Sequence, residues 1–105
     1  MNFNEYQIKA DQFVLPTAYR LEYLVAGLAG EAGEVASAYA KYVRDETPRS
    51  DLRKEMIKEL GDVLWFISEI SQFLDVDFSV IAEQNIAKLA DRKQRNVIKG
   101  SGNVR

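Results

Sequence analysis

Two stretches decide the reading: residues 27–43, GLAGEAGEVASAYAKYV, and residues 56–67, MIKELGDVLWFI. Each carries an acid-x-x-acid pair, Glu31 with Glu34 and Glu59 with Asp62, inside a run that otherwise has the spacing of a buried helix. Residues at that spacing lie about one turn apart on an α-helix, so each pair points its carboxylates to one side. Like charges one turn apart cost roughly 0.2–0.5 kcal/mol on an exposed helix, and more beside a core. Two such pairs in one small domain need something positive between them, and a divalent metal is the simplest candidate.

Around these stretches the chain reads as helix throughout. From Tyr19 to Arg44 it is free of proline, and Leu21, Leu24, Val25, Leu28, Ala32, Val35, Ala36, Tyr39 and Val43 recur at helical spacing as one apolar stripe. Gly27, Gly30 and Gly33 fall inside this helix, each costing up to ~1 kcal/mol relative to alanine. Their expected value is close approach of another helix, or room for a ligand. RDETPRS (44–50) is a charged break with Pro48, after which Ser50 or Asp51 is expected to cap a helix running from Asp51 to Leu74, with Leu52, Met56, Leu60, Val63, Ile67, Ile70 and Leu74 as its apolar stripe. Asp75 or Asp77 is expected to cap a last helix over Phe78–Lys93. A short helix over residues 4–14, capped by Asn4 and stopped by Pro16, precedes them all.

Four helices with short connections predict an all-α, four-helix-bundle-like fold in a single domain over residues 1–105. The last stretch, NVIKGSGNVR (96–105), has no periodicity, and 98–105 is expected to be a flexible basic tail. At about 100° per residue, Glu31 and Glu34 lie on the edge of their helix's stripe, and Glu59 and Asp62 on the matching edge of theirs, with Glu55, Phe66 and Glu69 close by. Antiparallel packing would make the four carboxylates converge at the margin of the core.

Composition narrows the chemistry. With 105 residues the chain has one modest core, and 47% apolar with 29% charged residues is ordinary globular composition. No apolar run approaches a membrane span of ~18 residues. MNFNEYQIKADQ is too polar for a secretory signal, so a cytoplasmic location is expected. There is no cysteine and no histidine, which removes zinc fingers, disulfide frameworks, Cys or Ser-His nucleophiles and His-ligated iron. A metal here must be held by oxygen ligands, which means Mg²⁺, Mn²⁺ or Ca²⁺. The net charge of -2 hides an asymmetry: residues 1–87 carry 8 basic and 15 acidic side chains, and residues 88–105 carry 6 basic against Asp91 alone. An acidic body with a basic end suits a metal–polyphosphate ligand; the plainer reading is a solvated helix end and frayed tail.

Glu31-x-x-Glu34, a spacer of 24 residues, and Glu59-x-x-Asp62 resemble the metal-binding signature of the MazG-like nucleotide pyrophosphohydrolases, within the all-α NTP pyrophosphatases. The resemblance runs through GLAGEAGEV and KELGDVLWFI into Asn85-x-x-Lys88-x-x-x-Arg92 and KGSGNVR, covering roughly residues 20–105. It implies Mg²⁺-dependent cleavage of a nucleoside triphosphate between the α and β phosphates, giving monophosphate and pyrophosphate, with Mn²⁺ as the alternative ion. It implies Glu31, Glu34, Glu59 and Asp62 as the metal ligands and catalytic set, without assigning the base among them. It also implies a bundle completed as a homodimer or homotetramer. Asn85, Lys88 and Arg92 then meet the phosphates, and Lys99, Ser101, Gly102 and Arg105 close over them.

Tyr6, Gln7 and Asp11 are candidates for base selection, and Trp65, which falls off the apolar stripe, for an intersubunit or base-stacking surface. A non-catalytic helical partner protein is the rival from another class. A pyrophosphohydrolase acting on a phosphoribosyl metabolite is the rival within the enzyme class. A nucleic-acid binder is disfavoured by the acidic body and by a basic end without interleaved aromatics.

Overall fold

A computed structural model of the chain describes residues 1–95. Among them are four α-helices: α1 (Phe3–Asp11), α2 (Leu21–Asp45), α3 (Arg49–Phe73) and α4 (Phe78–Gln94). A 3₁₀ turn covers Pro16–Ala18, and no strand occurs among the described residues. The all-α expectation holds. The expected tail over 98–105, with Lys99, Ser101, Gly102 and Arg105, lies outside the described residues.

The centre of the fold is the hairpin of α2 and α3, each 25 residues long. A connection of three residues forces the second helix back antiparallel along the first. Glu46 ends α2 in the left-handed conformation (φ 52°, ψ 40°), and Pro48 takes the N-cap of α3. The Pro48 carbonyl accepts from Asp51 N (3.0 Å) and Leu52 N (3.4 Å). So α3 begins at Arg49, two residues before the expected start, because the fixed φ of proline presets the first turn without a side-chain cap. At the far end the rings of Tyr23 and Phe66 lie 6.3 Å apart and those of Tyr19 and Phe73 5.4 Å apart. At that same end the Phe66 ring fills the space a side chain at Gly27 would need, whereas Gly30 and Gly33 face open space. Of the three glycines, only Gly27 serves close helix approach within the chain.

α1 and α4 are stitched together across the end of α3. Asn2, not Asn4, caps α1, its side chain accepting from Glu5 N at 2.8 Å. Asn4 instead accepts from Ser79 N (2.9 Å) and donates to Ser79 Oγ (3.1 Å). Gln7, buried, accepts from Phe78 N (2.9 Å) and donates to the Val76 carbonyl (3.0 Å). Asp77 holds the N-cap position of α4 but makes no side-chain cap bond. The first free N–H groups of α4 are therefore capped by α1, an arrangement no local sequence pattern encodes. Asp75 sits left-handed (φ 59°) just past α3, with Val76 N donating to the Ser71 carbonyl and Asp75 N to that of Gln72, a Schellman closure of the helix.

Among the described residues the buried apolar side chains are few: Ala10, Leu24, Phe66 and Phe78. Several residues expected to face a core are exposed, among them Val25 (50%), Tyr39 (55%), Val43 (59%) and Leu60 (52%). The apolar stripes of α2 and α3 are wider than one partner helix can cover.

Candidate metal centre

The hairpin's register sets Glu31 of α2 against Glu59 and Asp62 of α3, and one carboxylate oxygen of each lies within 4.8 Å of the others. Glu31 and Glu59 are half-buried, Asp62 exposed. Burial, then the charges of Asp62, Glu59 and Glu34 and a hydrogen-bonding contact with Glu59, push the Glu31 carboxyl above its ordinary value. This repulsion is what a cation between the three would relieve.

Glu34 stands outside this trio. It acts on Glu31 electrostatically and lines, with Glu59, a cleft of about 170 Å³ between the helices that continues toward Lys41, Tyr42, Asp51 and Glu55. Spacing of three residues offsets two side chains by about 60° around a helix. On α2 that offset turns Glu31 at α3 and Glu34 toward the cleft. The expected convergence of four carboxylates is thus a group of three with the fourth bordering it.

Asn85, Lys88 and Arg92 lie on α4, which packs against α1 and α3. Asn85 and Lys88 are exposed, whereas Arg92 is buried at 3% exposure. Gln7 is committed to capping α4, and the Trp65 indole N–H donates to the Ala10 carbonyl at 3.1 Å. Both residues thus serve contacts within the chain. Glu69, two turns beyond Asp62 on α3, is fully buried. Its signal in the sequence is a charge inside the apolar run Trp65–Ile70, in phase with Asp62.

The donor set fits a hard divalent cation: all three groups offer carboxylate oxygen, the ligand Mg²⁺ and Mn²⁺ prefer. Oxygens around one Mg²⁺ at about 2.1 Å stand at most about 4.2 Å apart, so the trio, within 4.8 Å of one another, is spread a little wider than an ion would draw it.

A comparison with known families matches residues 20–97 to the MazG nucleotide pyrophosphohydrolase domain, and the chain belongs to that family. It is similar to the Gene 37 protein of Mycobacterium phage L5, with 39% identity over 114 aligned positions spanning 100% of both chains. No solved structure matches it. No helix among the described residues is long and apolar enough to cross a membrane.

Proposed function

We propose that the protein is a Mg²⁺-dependent nucleoside triphosphate pyrophosphohydrolase that cleaves the α–β phosphate bond to give a nucleoside monophosphate and pyrophosphate. The observation that carries this reading is the convergence of Glu31, Glu59 and Asp62 from facing helices in a MazG-family chain. These three would hold the ion, with Glu34 joining from the cleft side. Bound there, Mg²⁺ (or Mn²⁺) would spread the charge developing on the phosphates and acidify an attacking water. Glu31 and Glu34 would approach the ion from α2, Glu59 and Asp62 from α3, and a carboxylate of this set left free of the ion would orient the water and take its proton. Asn85, Lys88, Arg92 and Lys99 are the proposed contacts to the phosphates, from their family positions.

The assembled protein is proposed as a homodimer or homotetramer. Support comes from the exposed apolar residues of the hairpin, Val25, Tyr39, Val43, Ile57 and Leu60, which a second copy would cover. The proposed location is the cytoplasm.

The deciding experiment is product analysis on a panel of NTPs, dNTPs and phosphoribosyl pyrophosphate compounds, with and without Mg²⁺, beside the Glu59→Gln, Asp62→Asn double variant. Pyrophosphate with monophosphate, lost in the variant, is the expected result. Release of orthophosphate alone would overturn the α–β assignment, and turnover of only the phosphoribosyl compounds would replace the substrate class.

A further inference from the structure

The cleft beside the acid trio lies between the second half of α2 and the first turns of α3, and it reaches Thr47 in the turn that joins them. α1 and α4 are fastened at the other end of the hairpin, at Trp65, Val76 and Phe78. Glu34 and Glu59 border the cleft, so a molecule whose phosphates meet an ion at the trio has this space directly beside it. The lining decides which part of that molecule can enter. Glu34, Asp45, Asp51, Glu55 and Glu59 face the cleft with carboxylates against the ammonium of Lys41, and Asp45 is already engaged by Arg44 at 2.7 and 2.8 Å. Such a field repels phosphate. An uncharged nucleoside meets no such repulsion, and its hydroxyl and amino hydrogens find acceptors there. Among the acids lie Ala38, Leu52 and Tyr42, all half-buried, a surface on which a flat ring can rest. Glu34 and Tyr42 stand about 12 Å apart along α2 at a rise of about 1.5 Å per residue, which leaves space for a sugar and then a base.

We propose that this cleft seats the base of the nucleotide, and that its size admits a pyrimidine and refuses a purine. The volume is about 170 Å³. A cavity of about 150 Å³ holds one benzene ring, so the cleft has room for one six-membered ring and none for the second, fused ring of a purine. Ala38 of α2 and Leu52 of α3 set that limit from facing helices, and Tyr42 offers the ring a face to stack on. A base seated there fixes the direction of the whole substrate. The sugar passes Glu34 and Glu59, the α-phosphate stands on the cleft side of the ion, and the β- and γ-phosphates lie beyond it, away from the carboxylates of the cleft. The cleft meets a base only if the acid trio meets the phosphates, so this inference rests on the pyrophosphohydrolase reading; the test below separates the two.

The test uses the full chain with Mg²⁺, wild type beside Ala38→Leu, which fills the cleft, and Leu52→Ala, which enlarges it. First, CMP, UMP, AMP and GMP are titrated against the side-chain methyls of Ala38 and Leu52 by NMR, a measurement on the wild type that needs neither turnover nor a variant that folds. CMP and UMP are expected to shift both methyls, and AMP and GMP to bind there at least tenfold more weakly. Second, kcat/KM for pyrophosphate release is compared across CTP, UTP, ATP and GTP. The wild type is expected to favour the pyrimidines tenfold or more. Ala38→Leu should lose most of that activity, and Leu52→Ala should raise ATP and GTP relative to CTP. Pyrimidine shifts at Ala38 and Leu52 without pyrophosphate release from any nucleotide would sink the reaction and leave the cleft as the seat of the base. Release from purines and pyrimidines alike, with Ala38→Leu changing neither, would overturn the cleft assignment and leave the reaction standing. Methyls that no nucleotide moves would overturn it as well.

Discussion

Phe66 of α3 stands where the β-carbon of any residue other than glycine at position 27 of α2 would project. The ring is nine-tenths buried and packed edge-to-face on Trp65, with centroids 5.0 Å apart, so it has little room to move aside. Gly27→Ala should therefore destabilise the fold by about 1–3 kcal/mol from overpacking, outweighing the gain of up to ~1 kcal/mol in helix propensity. Gly30 and Gly33 face open space within the chain, and alanine there should be neutral or stabilising by up to ~1 kcal/mol. Urea denaturation of the three variants checks the contrast. Equal effects at all three positions would mean that Phe66 does not fix the helix spacing.

The acid trio should make metal binding visible as stability. Mg²⁺ at about a hundred times its dissociation constant is expected to stabilise the wild type by about 2.7 kcal/mol. The Glu59→Gln, Asp62→Asn variant should lose that gain and, in chelator, be at least as stable as wild type, since the charges pressing on Glu31 are gone. Glu34→Gln should weaken the Mg²⁺ effect less than Glu59→Gln, because Glu34 lies outside the gathered set. Thermal melts across a Mg²⁺ series give all these comparisons.

The raised Glu31 carboxyl sets a pH dependence of known sign. Without metal, the folded chain holds this proton to higher pH than the unfolded chain does. Its contribution is therefore greatest below the ordinary carboxylate pKa and is lost as pH rises through the raised value. With Mg²⁺ the sign reverses, because the ion must displace that proton and its stabilisation grows over the same interval. Melts from pH 4 to 7, in chelator and in Mg²⁺, should show opposite slopes, and Glu31→Gln should flatten both.

Gln7 satisfies one donor and one acceptor at the start of α4 from a buried position. Gln7→Ala leaves Phe78 N and the Val76 carbonyl unpaired, at a cost on the order of 2 kcal/mol. Gln7→Glu keeps an acceptor for Phe78 N and should cost less than alanine at a pH where it stays protonated. Denaturation monitored by helical circular dichroism compares them, and a neutral Gln7→Ala would refute the capping role.

Much of this architecture is legible in the sequence. The leucines and valines of 21–43 and the break at Pro48 mark out the α2–α3 hairpin, because helical periodicity and proline act locally. The acid pairs stand out for the same reason: spacing on a helix fixes their side. What is not legible depends on contacts between distant segments. Asn4 reads as a local cap, yet Ser79 claims it, and Asn2 takes its place. Glu31 and Glu34 read as equivalents until the rotation of α2 against α3 separates them. Trp65 looks like a surface spare because Ala10, its partner, is far away in sequence. Val43 and Leu60 read as core, although one copy of the chain leaves them in solvent.

The capping of α4 by α1 also bears on the order in which the fold assembles. The hairpin joins neighbouring segments through a three-residue turn, so its loop closure is cheap and early. The clasp between Asn4 or Gln7 and residues 76–79 spans nearly the whole described chain. On a ribosome it must wait until α4 has emerged. The first helix made is thus among the last to find its place, and until then its apolar residues, Phe3 and Ala10 included, have only the hairpin for shelter.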